Sequence, residues 1–461
     1  MPRFPEEKLS IEIAVLKKRG GENRVMNEFW NKYTEILPRE KLDAIEFDYF
    51  KTLFSYAKDN SNLYKEKLKG IEAGDLKTYA DIKKVPFTYK EELRKWQENV
   101  EPFPYGGLLG VPIDEVCTFR QTSGTTGRPV YVPETYESWQ WRIESWCHIL
   151  WMAGFRPWHR VFLPFGYNVY VAFWEAHYAA EKIGCEVIPG GALDTKGRVK
   201  KIIEMKANAM AGTPTYLLNI AQEAESMGID PKFLGIERAI GAGEPLPEAT
   251  RLRIENTYGC KMYDHIGSTE TCGFASMCKA QKGLHIIEPF FLLEMLDRET
   301  LSKEVEVGDQ GVIVITPLGR RSFPVIRFNT NDVAIKGPDT CECGRTSKKL
   351  MEIVGRVDDI SKIRGVLFSP KAVEQFIRAD FPEIVEYELV VTRDDIMDQI
   401  LLRVEVDPSL SKETAEEVAR RVGEEHKIKT NLSCKVMLEP PCTLPRYDLK
   451  AKRYKDMRGS H

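Results

Sequence analysis

Thr122-Ser-Gly-Thr-Thr-Gly-Arg-Pro129 is the stretch on which the reading of the chain turns. Its first six residues hold four hydroxyl side chains and two glycines, a composition that favours neither helix nor strand. Glycine permits close approach of backbone to a ligand, and hydroxyls with freed N–H groups make a row of donors suited to phosphate oxygens. Val116-Cys-Thr-Phe119 before it and Val130-Tyr-Val132 after it are strand-like. The segment therefore reads as a phosphate-binding hairpin loop rather than a surface turn. A Walker A loop is excluded, because the Gly124/Gly127 spacing is wrong and Arg128 stands where a Lys-Ser/Thr pair is required.

Outward from this loop, 461 residues are too many for one ordinary core, so at least two domains are expected. A hydrophobic share of 43% with 29% charged residues is that of a soluble globular chain, and a net charge of −3 with both signs interspersed gives no footprint for nucleic acid. No apolar run reaches the ~18 residues of a membrane helix, and Met1-Pro-Arg-Phe-Pro-Glu-Glu7 lacks an apolar signal core. A cytoplasmic location is expected, with the ten cysteines as thiols or metal ligands rather than disulfides.

The first hundred residues read as helical: Phe50, Leu53, Phe54 and Ala57 fall on one helical face. Short apolar runs at Arg160–Pro164, Cys185–Ile188 and Arg238–Ile240 alternate with helical stretches, which argues for α/β layers. Gly311–Pro317 opens a more β-rich section. Beyond Asp358, strands at Val385–Thr392, Gln399–Val406 and Cys434–Leu438 flank a helix that starts after Ser411 and carries Ala415, Val418 and Val422 on one face. The fold class expected is α/β, with a large N-terminal domain (residues 1–356) and a small α+β C-terminal domain (residues 357–461).

The loop resembles the phosphate loop of the acyl-adenylate-forming superfamily, and four further stretches resemble that superfamily's signatures in the same order: Ile266-Gly-Ser-Thr-Glu270; Arg327-Phe-Asn-Thr-Asn-Asp332; Gly355-Arg-Val-Asp-Asp359 with Lys362 and Gly365; and Leu444-Pro-Arg446 through Lys450. Within it the chain is similar to phenylacetate-CoA ligases, on its short length, Ser61-Asn-Leu-Tyr-Lys-Glu-Lys-Leu68, Gly241-Ala-Gly-Glu-Pro245 and the Leu444–Arg453 tail. The resemblance implies an AMP-forming acid–CoA ligase that uses ATP, Mg²⁺ and CoA. Thr122, Ser123, Gly124, Thr125, Thr126 and Gly127 would hold the β- and γ-phosphates, and Glu270, beside Ser268 and Thr269, would ligate Mg²⁺. Gly243, Glu244 and Pro245 would line the adenine pocket; Asp332 would bind the ribose hydroxyls with Arg356 assisting. Lys450 would reach the reacting oxygens, then leave as the small domain rotates about Asp358 and the loop at Gly365 helps form a CoA channel. Two features depart from the pattern: Ile266 stands where the family commonly has an adenine-stacking Tyr, and Gly319-Arg-Arg321 has no assigned role.

Cys341-Glu-Cys343 is a tight knuckle, and Cys278 with His285 could complete a tetrahedral, structural Zn²⁺ site, with Cys272 as the reserve ligand; some phenylacetate-CoA ligase-like proteins carry zinc in this region. Phe165 to His177 resembles the family's acyl-pocket segment but carries the bulk of Tyr167, Tyr170, Phe173 and Trp174. Either these aromatics narrow the pocket to a compact acid, short and branched or hydroxylated such as 2-hydroxyisobutyrate, with His177 or Asn168 serving a hydroxyl, or they pack as helix core and an arylacetic acid is taken. The partner expected is a small carboxylic acid, with no nucleic acid and no membrane, for a chain standing as monomer or homodimer. Two rivals remain at this stage: a nucleotidyltransferase that leaves AMP on a phenolic acceptor, and a silent nucleotide-binding regulator.

Overall fold

The computed structural model describes residues 28–98, 100–122, 128–167, 171–357, 361–364, 366–394, 397–447 and 453–458. Its centre is a five-stranded parallel sheet in the order Glu186–Pro189, Arg160–Leu163, Ala209–Gly212, Arg238–Gly241, Lys261–Tyr263. Both faces are covered, as parallel strands require. Alternate residues divide accordingly: Val161, Leu163, Ala209 and Ala211 face the helices Tyr136–Met152 and Val171–Ile183, whereas Phe162 and Met210 face Thr195–Met205, Pro214–Ser226 and Glu248–Tyr258. At Asp264 the chain leaves this sheet, and His265–Ser268 becomes the edge of a seven-stranded sheet running on through Cys272–Met277, Leu284–Ile286, Lys349–Arg356, Phe328–Lys336, Gln310–Pro317 and Phe291–Leu296, antiparallel at every pairing.

The expected hairpin is present: Thr118–Gln121 pairs antiparallel with Tyr131–Glu134 around the glycine-rich loop. The N-terminal layer is helical at Arg39–Asn60, with Phe50, Leu53, Phe54 and Ala57 buried as the periodicity predicts. Arg327 fastens this layer. Its buried guanidinium holds Glu294 at 2.8 and 2.7 Å, donates to the carbonyl of Val85, and stacks 4.1 Å from the Phe87 ring. The C-terminal unit is a four-stranded sheet (Lys435–Leu438, Met397–Val406, Ile384–Asp394, Tyr454–Asp456) with the helices Pro370–Asp380 and Lys412–Thr430. Ser411 caps the latter by accepting from Thr414 N–H at 3.2 Å. Its core, from Ile363 to Leu432, is separate from the two cores of the large domain, the mark of a unit able to fold by itself.

Candidate active site

Ligands of open parallel sheets bind beyond the carboxyl ends of the strands, and the sequence-marked segments converge on that edge. The acyl segment follows Arg160–Leu163, Gly241–Pro245 follows Arg238–Gly241, and the 264–270 stretch follows Lys261–Tyr263, with Thr213–Thr215, which the sequence did not mark, following Ala209–Gly212 beside them. Hydrogen bonds join them: Ala242 N–H to Gly212 O at 3.0 Å, Thr215 N–H to a Glu244 carboxylate oxygen at 3.1 Å, and His265 Nδ1 to Gly241 O at 2.6 Å. Gly243 turns the chain with φ of +80°. Glu244 is thus committed to shaping the cleft, and Ile266 is half-buried against the main core.

Glu270 is only 3% exposed, and its Oε1 has no hydrogen-bond partner among the described residues. Lys90 Nζ stands 3.0 Å from that oxygen, as an ion pair set off the hydrogen-bond directions. A buried carboxylate oxygen left so is a donor suited to a hard cation, so Glu270 fits the Mg²⁺ expected there. The turn around it is held by Ser268 Oγ, 2.9 Å from Thr271 Oγ1 and accepting from Thr271 N–H at 3.2 Å. A Cβ added at Gly267 would lie 2.5 Å from the Cys272 carbonyl oxygen, so the turn requires glycine. Lys90 opens the helix Lys90–Gln97, whose Arg94 donates to Arg128 O at 3.0 Å and whose Gln97 bonds both the N–H and the C=O of Tyr131. Thr122 closes the other side, its Oγ1 accepting from Val130 N–H at 3.0 Å.

Asp332 and Arg356 lie opposite one another on neighbouring strands, 3.8 Å apart and both partly open to solvent. Thr330 Oγ1 accepts from Asp332 N–H at 3.0 Å and fixes that strand's bend. Ser123, Gly124, Thr125, Thr126, Gly127, Asn168, Tyr170, Asp358, Gly365 and Lys450 lie outside the described residues.

In the acyl segment the two readings of the aromatics divide by helix face. Phe173 is core, stacked on Phe165 at 3.5 Å. Trp174, His177 and Tyr178 share the other face with Tyr167, whose ring is 4.9 Å from Trp174. His177 is not a free group: Nδ1 is 2.5 Å from the Tyr167 hydroxyl and Nε2 is 3.0 Å from Glu181 Oε1. His177 thus holds the Tyr167 hydroxyl at this face, beside the ring of Tyr178. Arg120 stacks on Trp139 and Trp174, at 4.6 and 5.1 Å.

Cys278, His285, Cys341 and Cys343 come together with all four ligand atoms within 4.8 Å of one another. Tetrahedral Zn²⁺ with its usual bond lengths requires S···S edges of about 3.8 Å and S···N edges of about 3.6 Å. The Cys278–Cys341 sulfurs are 3.8 Å apart, and Cys343 Sγ is 3.5 Å from His285 Nε2. His285 Nδ1 is held by Ser347 Oγ at 3.1 Å, the outer support that fixes a ligating ring. Cys272, the reserve ligand, is turned elsewhere, toward the Arg142 carbonyl.

Sequence reasoning missed Lys90, Arg142, Glu134 and Glu175. Only the spacing of His177 and Glu181, four residues apart on a helix, was legible as a pair.

A family profile described as AMP-binding enzyme matches residues 51–316, and one described as AMP-binding enzyme C-terminal domain matches residues 365–458. The chain is 32% identical to the phenylacetate-coenzyme A ligase of Thermus thermophilus, over 92% of this chain and 98% of that protein. It is 28% identical to the phenylacetate-coenzyme A ligase of Escherichia coli, over 91% and 96%. Among solved structures, 2-hydroxyisobutyryl-CoA ligase in the postadenylation state with 2-HIB-AMP matches with a TM-score of 0.88 at 26% identity, covering 95% of this chain and 94% of that one. The same ligase with 2-HIB-AMP and CoA in the thioesterification state gives 0.71 at 28% identity over the same shares. The chain belongs to the AMP-binding enzyme family, with phenylacetate-coenzyme A ligases among its relatives. It is accordingly an AMP-forming acid–CoA ligase.

Proposed function

We propose that the protein activates a compact, hydroxylated carboxylic acid as its acyl-adenylate and passes the acyl group to CoA, the two half-reactions being divided between orientations of a domain that begins near residue 357. In the first, a carboxylate oxygen bonds to the α-phosphorus of ATP as the bond to pyrophosphate breaks. In the second, the CoA sulfur bonds to the acyl carbon, AMP leaves with the electron pair of the C–O bond, and the thiol proton goes to solvent. The observation that supports this reading is the convergence of three sequence-marked segments on one sheet edge beside Thr213–Thr215, with a buried Glu270 whose Oε1, ion-paired to Lys90, makes no hydrogen bond among the described residues.

Bound at Glu270, Mg²⁺ would neutralise charge building on the phosphates. Lys90, ion-paired to Glu270 Oε1, would balance its charge, and the Gly243–Pro245 turn with the aliphatic Ile266 would border the adenine. Asp332 and Arg356 present an acceptor and a donor to the ribose. Lys450 is assigned the α-phosphate and carboxylate oxygens, and Gly365 the CoA channel. Zn²⁺ in the Cys278–His285–Cys341–Cys343 knuckle would be structural, four protein ligands leaving no open position. The hydroxylated-acid reading rests on the Tyr167 hydroxyl presented by His177, and on the likeness to 2-hydroxyisobutyryl-CoA ligase.

The test is acid-dependent ATP–pyrophosphate exchange by Glu270→Gln. The variant should fold and bind nucleotide but lose about 100-fold or more in exchange, the scale of one lost electrostatic contact at a reacting phosphate. Exchange at the wild-type rate removes Glu270 from the site.

A further inference from the structure

Arg320, from the segment whose charges the sequence left without a role, is fully buried. Its Nη1 donates to the backbone carbonyl of Glu270 and its Nη2 to Glu134 Oε1 at 2.9 Å. The same Glu134 oxygen receives Arg142 Nη1 at 3.0 Å, and that nitrogen lies 3.2 Å from the carbonyl of Thr269. Arg142 Nε is bonded to Glu175 at 2.5 Å, and Ser322 Oγ completes the cluster on Glu134 Oε2 at 3.3 Å. Two guanidiniums therefore grip consecutive carbonyls of the turn that aims Glu270. Their counter-charges come from the strand after the phosphate loop (Glu134) and from the helix carrying Trp174 and His177 (Glu175).

Stability does not account for such a cluster. Replacing buried ion pairs by apolar groups is often neutral or stabilising, and here Arg142 Nη2 and Arg320 Nε lack hydrogen bonds among the described residues. What the cluster supplies is geometry. Carbonyls held by charged forks fix a turn more tightly than neutral hydrogen bonds do, and small misplacements at a reacting centre cost large factors in rate.

We propose that Arg320, with Arg142 and Glu134, is a positioning residue of the adenylation reaction: it sets the Glu270 turn so that the carboxylate meets the divalent cation, and it fixes that turn to the phosphate hairpin and the acyl helix. The proposal rests on the role of Glu270 proposed above. It is tested on the full-length protein with Arg320→Lys and Arg320→Met, and with Arg321→Ala as the neighbouring control, since Arg321 lies on the Tyr56 ring outside the cluster. Lysine keeps the charge on Glu134 but has no fork to span both partners.

Two quantities are read: the Mg²⁺ half-saturation of acyl-adenylate formation, and binding of Mn²⁺ in the presence of ATP, which needs no turnover. Arg320→Lys should melt close to wild type yet raise the metal half-saturation about tenfold and lower kcat about tenfold or more; Mn²⁺ binding should weaken in parallel, with the KM of the acid little changed. Arg321→Ala should match wild type. A folded Arg320→Lys protein with wild-type metal dependence and kcat overturns the proposal, even if Arg320→Met fails to fold. Should wild type form no adenylate with any acid, the ligase reading fails alone and the Mn²⁺ arm still decides the role of Arg320.

Discussion

Single side chains here owe their roles to partners that sequence spacing does not reveal. His177 carries an ordinary helical spacing to Glu181, but its second nitrogen is taken by Tyr167, ten residues earlier, so the proposed hydroxyl contact to the acid falls to the tyrosine. Tyr167→Phe should raise the KM of a 2-hydroxy acid about five- to tenfold, the value of one hydrogen bond of modest strength, while the KM of the acid lacking the hydroxyl stays unchanged. Parallel rises for both acids would mean that Tyr167 packs rather than recognises. Arg327 makes the converse point. It opens a signature motif, yet among the described residues its guanidinium hydrogen-bonds Glu294 and the backbone carbonyls of Lys83 and Val85. Its work is to seal the N-terminal layer to the antiparallel sheet.

Elements were the most legible scale. The hairpin strands, the alternation that builds the parallel sheet, the buried face of Arg39–Asn60 and the Ser411-capped helix all follow from local period and capping, which need no distant partner. The Cys-x-Cys knuckle was equally readable, and the quartet drawn from sequence is the one that assembles. The knuckle leads directly into Lys349–Arg356, while His285 sits on the adjoining strand opposite Lys349. A metal there would tie strand ends whose far end bears Arg356. Cys341→Ser should lose zinc from about one equivalent to near none and lower Tm by several degrees, because the ligand set contributes directly to folding; zinc content is read by atomic emission and Tm by calorimetry. Metal-free wild type with unchanged Tm would remove zinc from the account. What stayed illegible was the ion cluster of Glu134, Arg142, Glu175 and Arg320, since charges far apart in sequence carry no periodic mark when they are buried together.

At the scale of the molecule, the chain as a whole is closer to the postadenylation state of 2-hydroxyisobutyryl-CoA ligase than to its thioesterification state, with TM-scores of 0.88 and 0.71 over the same share of the chain. In this arrangement Arg453, held within the small domain by Glu386 at 2.6 Å, reaches across to Thr215 Oγ1 at 3.3 Å, beside the segment proposed to border the adenine. Val357 N–H is bonded to Asn331 O at 2.7 Å, one residue before the expected hinge at Asp358. Thr215→Val, which removes the acceptor and leaves the small domain intact, should slow adenylation a few-fold, in keeping with one part-buried charge-assisted bond, without slowing thioester formation from supplied acyl-adenylate. Equal slowing of both half-reactions would contradict an orientation-specific contact. The central claim is tested most directly by incubating the protein with ATP, Mg²⁺ and CoA across acids from acetate through 2-hydroxyisobutyrate to phenylacetate, and quantifying pyrophosphate, AMP and thioester together. The account predicts matched AMP and thioester, with the highest kcat/KM for a compact hydroxylated acid. The highest kcat/KM for phenylacetate would contradict the pocket, and ATP binding with no AMP or thioester from any acid would contradict the ligase.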